Sequence, residues 1–193
     1  LTYTEMGDYD KAMEIYTPAL KQAKELDDNP GIGDSLTSIG LVNWYKGEYD
    51  KALDYCGRSL AIYEKLCNNR GMGISLNNIG NVHYNKADYD KALNYYERSL
   101  TLYEDLGDKR GMGGCFCNIG NVHYDKADFN KSDYDKALDY YEKSLVIFNE
   151  IGDKRGMGYS LNNIGLVHKN KGDYDKALDY YGRSLAIQEE LGD

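Results

Sequence analysis

Residues 154–193 read KRGMGYSLNNIGLVHKNKGDYDKALDYYGRSLAIQEELGD, and the rest of the chain is this stretch written again. Residues 69–108, NRGMGISLNNIGNVHYNKADYDKALNYYERSLTLYEDLGD, match it at 29 of 40 positions. The chain divides into a partial copy (1–28), two full copies (29–68 and 69–108), a long copy (109–153) and the final copy (154–193). Tandem units of this size predict a solenoid, in which each unit buries its apolar face on the next and about three suffice for a shared core.

Within residues 69–108, Leu76, Ile79, Gly80 and His83 fall at i, i+3, i+4 and i+7, the spacing of one helical face. This predicts a first helix, A. Lys86-Ala87-Asp88 interrupts the pattern, and Asp88 is placed to cap a second helix, B, which carries Ala92, Tyr96, Ser99 and Tyr103 along one face. Gly107 supplies a left-handed stop. Each unit is therefore expected to be an antiparallel helical hairpin, and no strand pattern occurs.

Small residues recur where A and B would cross: Gly40, Gly80, Gly120 and Gly165 on A, and Ala12, Ala52, Ala92, Ala137 and Ala177 on B. A helical glycine costs about 1 kcal/mol relative to alanine, so its recurrence implies close packing. Three departures stand out. Pro18 falls inside the first B helix and should kink or shorten it. Pro30 suits the first turn of the next A helix. Ala127-Asp128-Phe129-Asn130-Lys131 precedes its near-copy Ser132-Asp133-Tyr134-Asp135-Lys136, a five-residue insertion near 128–132 that lengthens one A-to-B turn.

Composition narrows the function. With 23 Lys and Arg against 32 Asp and Glu, the net charge is −9. Nucleic-acid backbones and anionic membranes require clustered cations, so neither is expected as a partner. No run reaches the roughly 18 apolar residues of a membrane span. No leader precedes the first unit, although Leu1 lies in mid-unit and the natural N-terminus is expected upstream. Cys56, Cys67, Cys115 and Cys117 form no C-x-x-C pair, which predicts reduced, structural thiols and a cytoplasmic compartment.

The candidate chemistry is sparse. His83, His123 and His168 occupy one equivalent position in successive units, about 8–10 Å apart per step, too far for a shared metal ion. Gly71-Met72-Gly73 and its copies follow a helix and lack the phosphate-loop pattern, so they are read as a close-packing device filled by the methionine. The Asp-Tyr-Asp-Lys runs suit solvated helix starts, and Ser59, Ser99, Ser144 and Ser184 suit packing. No cofactor, metal or catalytic site is expected.

The order Leu76, Ile79-Gly80, His83, Ala92 and Tyr96 resembles the tetratricopeptide repeat signature W-x2-L-G-x2-Y, then A-x3-F. Leucine stands for tryptophan, histidine for the first tyrosine and tyrosine for phenylalanine. The forty-residue period is similar to the long repeats of Pins/LGN adaptors and of kinesin light chain. The resemblance implies an all-α fold, a right-handed α-solenoid superhelix with A helices on the concave face, and a protein-binding scaffold.

Carried over position by position, the resemblance places Trp44 in the concave groove with Asn77, Asn81 and Tyr84. It adds Cys117, Asn121 and Tyr124 from the next unit, and Asn162, Lys169 and Asn170 from the last. Asparagine both donates and accepts, as an extended peptide backbone requires, whereas Asn78, Asn118 and Asn163 are assigned to local capping. Lys169 as the lone groove cation argues against a dicarboxylate clamp. The expectation is a non-enzymatic scaffold that binds a peptide segment of a partner protein. Two competing readings remain: self-association through apolar ends such as Ile187 and Leu191, and a sensor arm of a larger signalling protein.

Overall fold

The computed structural model describes residues 3, 4, 6–127 and 132–192. Among them lie nine helices and no strand: α1 (Tyr9–Glu25), α2 (Asn29–Tyr45), α3 (Tyr49–Lys65), α4 (Asn69–Asn85), α5 (Tyr89–Leu106), α6 (Lys109–Lys126), α7 (Asp133–Glu150), α8 (Lys154–Lys171) and α9 (Tyr174–Leu191). The even-numbered helices are the expected A helices and the odd-numbered ones the B helices. Apart from Ala127, the five-residue insertion expected at 127–131 lies outside the described residues.

A helices begin alike because their cap residue is built into the repeat. The Oδ1 atoms of Asp28, Asn68, Asp108 and Asp153 accept from the backbone N–H of Gly31, Gly71, Gly111 and Gly156 at 3.0–3.1 Å. B helices begin less uniformly. Asp8 caps α1 by accepting from the Lys11 backbone N–H at 3.3 Å, whereas Glu48 and Asp173 make no side-chain cap bond, and Asp88 pairs with Lys91 at 2.9 Å. Pro18 does not shorten its helix, since α1 and α3 both have 17 residues. Pro18 and Glu14, whose carbonyl loses its partner, are both exposed, so solvent meets the loss.

The turns need a residue of positive φ. Gly47, Gly107, Gly152 and Gly172 supply it, but Cys67 (φ 51°) and Ala87 (φ 58°) hold the same conformation with a β-carbon. Left-handed backbone costs an L-residue about 1–2 kcal/mol, partly offset by the extra unfolded-state freedom of glycine. Cys67→Gly and Ala87→Gly are each expected to raise unfolding stability by about 0.5–1 kcal/mol, read as a shift in the urea midpoint. Cys67 is also exposed, whereas Cys56, Cys115 and Cys117 are buried, and burial pushes the Cys56 thiol up to about 12.

The chain forms two compact units, Leu1–Leu102 and Tyr103–Asp193. In the first, α1, α2, α3 and α4 pack in sequence and the A helices α2 and α4 also touch. In the second, α6 to α9 pack in sequence and α6 touches α8. Each unit is thus a run of stacked hairpins, the all-α solenoid architecture. In the first unit the core holds Leu20, Leu36 and Ile39 with Met13, Tyr16 and Tyr55 against them. In the second it gathers Ala137, Tyr141, Ile164 and Val167, flanked by Tyr124, Leu138 and Leu145.

The recurrent small residues sit at the helix crossings. A β-carbon on Gly80 would lie 2.6 Å from the Tyr96 ring, and one on Gly120 2.6 Å from the Tyr141 ring. The recurrent B-helix serines are polar pins as well as spacers. Ser59, Ser99, Ser144 and Ser184 donate to the carbonyls of Gly33, Gly73, Gly113 and Gly158 at 2.8–3.0 Å. Each bond contributes about 1 kcal/mol net and fixes the register of B on A.

Candidate functional site

The eight expected groove residues fall into two sets, four in each unit. On α4, Asn77, Asn81 and Tyr84 follow one another at i, i+4 and i+7, so they share a face, and all three are half-buried. Trp44 is half-buried on α2, with its ring edge-on to Tyr45 at 4.6 Å, and Tyr45 in turn stacks on Tyr9 at 5.9 Å. The Trp44 indole N–H is buried and has no acceptor among the described residues. Asn81 Oδ1 accepts a 2.8 Å bond from the Tyr96 hydroxyl.

The second unit carries the same device more fully. Asn121 Oδ1 accepts from Tyr141 Oη at 2.8 Å and from Asn163 Nδ2 at 3.4 Å, while Asn121 Nδ2 donates to Tyr159 Oη at 3.3 Å. Tyr124 Oη accepts from Asn170 Nδ2 at 2.6 Å. These bonds stitch α6 to α8 into one polar surface. Asn162 and Lys169 stand exposed on α8 beside it. Cys117, expected on this face, is instead buried, with Sγ 3.0 Å from Ser144 Oγ, because a thiol fits the core there.

Asn81 and Asn121 therefore have their carbonyls committed to buried tyrosines. The sequence held no clean signal of this, because the last unit keeps the tyrosine, Tyr181, with Leu166 in the asparagine position, while Leu41 is matched by Cys56. Tyr159 carried no signal, because its counterparts Asp34, Ile74 and Gly114 share no chemistry with it.

The equivalent histidines mark the A-to-B turns. His83, His123 and His168 stack on Tyr95, Tyr140 and Tyr180 at 5.4–5.5 Å, and Arg98, Lys143 and Arg183 lie over the same rings at 5.0–5.5 Å. Their Nδ1 atoms face Asp88, Asp133 and Asp173 at 3.3–3.5 Å. Among the described residues no group of three or more His, Cys, Asp or Glu is arranged to hold a metal ion.

Burial holds the His123 imidazole below its ordinary value of 6.5, against the opposing pull of Asp133 and with Lys136 and Lys126 adding to the depression. The unfolded chain then binds the proton more readily, so stability is full above about pH 6.5 and falls as pH drops toward the folded value. A smaller decline in the urea midpoint between about pH 7 and 5 is expected for His123→Phe than for the native chain.

A profile of the tetratricopeptide repeat matches residues 1–65, 71–132 and 128–190. No curated protein matches the sequence. Among solved structures, BtubC (BKLC) from P. vanneervenii aligns with a TM-score of 0.79 at 22% identity, over 98% of this chain and 77% of its own. A Rap protein complexed with Competence and Sporulation Factor aligns with a TM-score of 0.86 at 19% identity, over 99% of this chain and 52% of its own. This chain thus spans about half of that protein. The nearly identical TPR-like repeats of a putative kinesin light chain from Podosopora anserina align at 0.70 and 14% identity, over 98% of this chain and 91% of their own. Identities this low show a shared fold alone. Among the described residues no helix is long and apolar enough to cross a membrane.

Proposed function

Since the chain belongs to the tetratricopeptide repeat family, we propose that its repeats, read as one array over 1–193, are a non-enzymatic scaffold binding an extended peptide segment of a partner protein on the A-helix face. The observation that carries this reading is the hydrogen-bonded surface of α6 and α8. Its amides and tyrosines are pre-ordered by one another, so a ligand binding there meets little further side-chain ordering cost. Asn162 and Lys169 are the exposed polar groups at its edge, and Trp44, Asn77, Tyr84 and Tyr124 are the corresponding aromatic and amide contacts. The complex of a Rap protein, similar in fold, with Competence and Sporulation Factor supports a binding role. Net charge −9 favours a neutral or basic peptide over nucleic acid or membrane, and the reduced cysteines suit the cytoplasm.

The test should spare Asn81 and Asn121, whose loss would strip buried tyrosines of their partners. Panning a random peptide library against the native chain and against Asn77→Ala/Asn162→Ala/Lys169→Glu gives the comparison. Enriched peptides are expected to bind the triple variant about tenfold or more weakly at unchanged helicity. Equal binding by both would move the site elsewhere.

A second reading is self-association. Leu178 and Leu185 on α9 are 69% and 55% exposed, and Ile15 on α1 is 50% exposed. Apolar surface at two different elements favours head-to-tail contacts. Sedimentation at rising concentration, with Leu178→Glu/Leu185→Glu as control, separates this from peptide binding. As a regulatory arm of a longer signalling protein, the chain would use the same peptide face.

A further inference from the structure

The A helices α6 and α8 touch, whereas among the described residues the B helices α7 and α9 do not, so a trough runs between α7 and α9 with α8 as its floor. It holds a cleft of about 460 Å³, with Leu145 and Val146 on the α7 wall, Met157 and Leu161 beneath, and Arg183 and Ile187 on the α9 wall. Leu161 is only 2% exposed, so the floor is apolar and closed. This trough is not the seat of a following hairpin. In the earlier hairpins the next A helix rests on the ring position of the B helix, Gly71 against Tyr63 and Gly156 against Phe148. Ile62, the counterpart of Ile187, instead packs back onto Leu20 and Leu36 of the helices before it.

Two residues set the α7 rim apart from its copies. Val146, 57% exposed, stands where the other full units have Ala61, Thr101 and Ala186, and Asn149, which also lines the cleft, stands where they have Glu64, Glu104 and Glu189. The rim has gained apolar surface and lost an acid. Across from it, Arg183 is the one charged residue among those lining the cleft. It lies over the Tyr180 ring at 5.1 Å, and its side chain is 52% exposed. Its distance to Asp179 is 3.7 Å, beyond hydrogen-bond reach, against 3.0 Å for Arg58 with Asp54 and 2.6 Å for Lys143 with Asp139. We propose that this cleft docks a partner polypeptide through aliphatic side chains followed by a carboxylate, as in Leu-Leu-Glu. The apolar walls take the aliphatic groups, and the Arg183 guanidinium takes the carboxylate in a charge-assisted bond. Local charge decides here over the net −9, because exposed charges more than about 8 Å away are largely screened at physiological salt.

The probe is acetyl-Leu-Leu-Glu-amide, titrated into the isotope-labelled full chain beside acetyl-Leu-Leu-Gln-amide. Saturable shifts are expected at the Val146, Asn149 and Ile187 amides, with the glutamine peptide binding about tenfold or more weakly. Val146→Glu, at an exposed position, sets a repelling carboxylate on the rim and is expected to weaken the glutamate peptide by about tenfold or more. Arg183→Gln is expected to bind both peptides alike. Asn77→Ala/Asn162→Ala/Lys169→Glu should leave the response unchanged, so this cleft and the A-helix face stand or fall separately. Absence of a saturable response at Val146 and Ile187, equal binding of the two peptides by the native chain, or a glutamate preference that survives Arg183→Gln in folded protein overturns the proposal.

Discussion

Tyr141→Ala is expected to lower unfolding stability by about 4 kcal/mol, within the range for deleting a buried aromatic side chain. Tyr141 is 2% exposed and belongs to the core of Ala137, Ile164 and Val167. Its removal leaves a cavity beside Gly120, an α6 backbone that cannot move inward without dragging the serine pin between Ser144 and Gly113. It also frees the Asn121 carbonyl, which then keeps only the long bond from Asn163. Tyr141→Phe separates the two contributions. It keeps the ring and removes the 2.8 Å bond, so a loss of about 1 kcal/mol is expected. Urea unfolding of both variants measures the difference. If Tyr141→Phe lost as much as Tyr141→Ala, the hydrogen-bonded surface rather than ring packing would hold α6 to α7.

Gly80→Leu is expected to cost about 3 kcal/mol, the upper part of the range for overpacking a filled core. The first added atom would stand 2.6 Å from the ring of Tyr96, which is fully buried and tied through its hydroxyl to Asn81. Burial of the ring and its bond to Asn81 oppose its retreat, so α4 and α5 are expected to separate. The control is Gly182→Ala, on α9, where a β-carbon meets nothing within 4 Å. There the helix propensity of alanine is unopposed, and a gain of about 1 kcal/mol is expected. Opposite signs for two glycines inside helices would tie the effect to the helix crossing and not to backbone freedom. A thermal midpoint unchanged by Gly80→Leu would refute the close-packing account.

The candidate site was less legible than the packing. Asn81 and Asn121 could be placed on an A helix from sequence spacing, but not whether their amides faced a ligand or their own chain. That depends on hydroxyls brought in by other helices: Tyr96 and Tyr141 from the paired B helix, and Tyr159 from the next A helix.

By itself the sequence determined the helical hairpins, their order and the family, because a 3.6-residue apolar period repeated every forty residues is a statement about short-range geometry. It determined the close crossings too, since a glycine kept at one helical position has few other uses. Tertiary structure alone decided which polar side chains are spent on the fold and which are left exposed. Hydrogen bonds between residues up to 46 positions apart, as between Tyr124 and Asn170, form only after the helices have packed. A half-buried amide binds whichever partner packing places within about 3 Å of it.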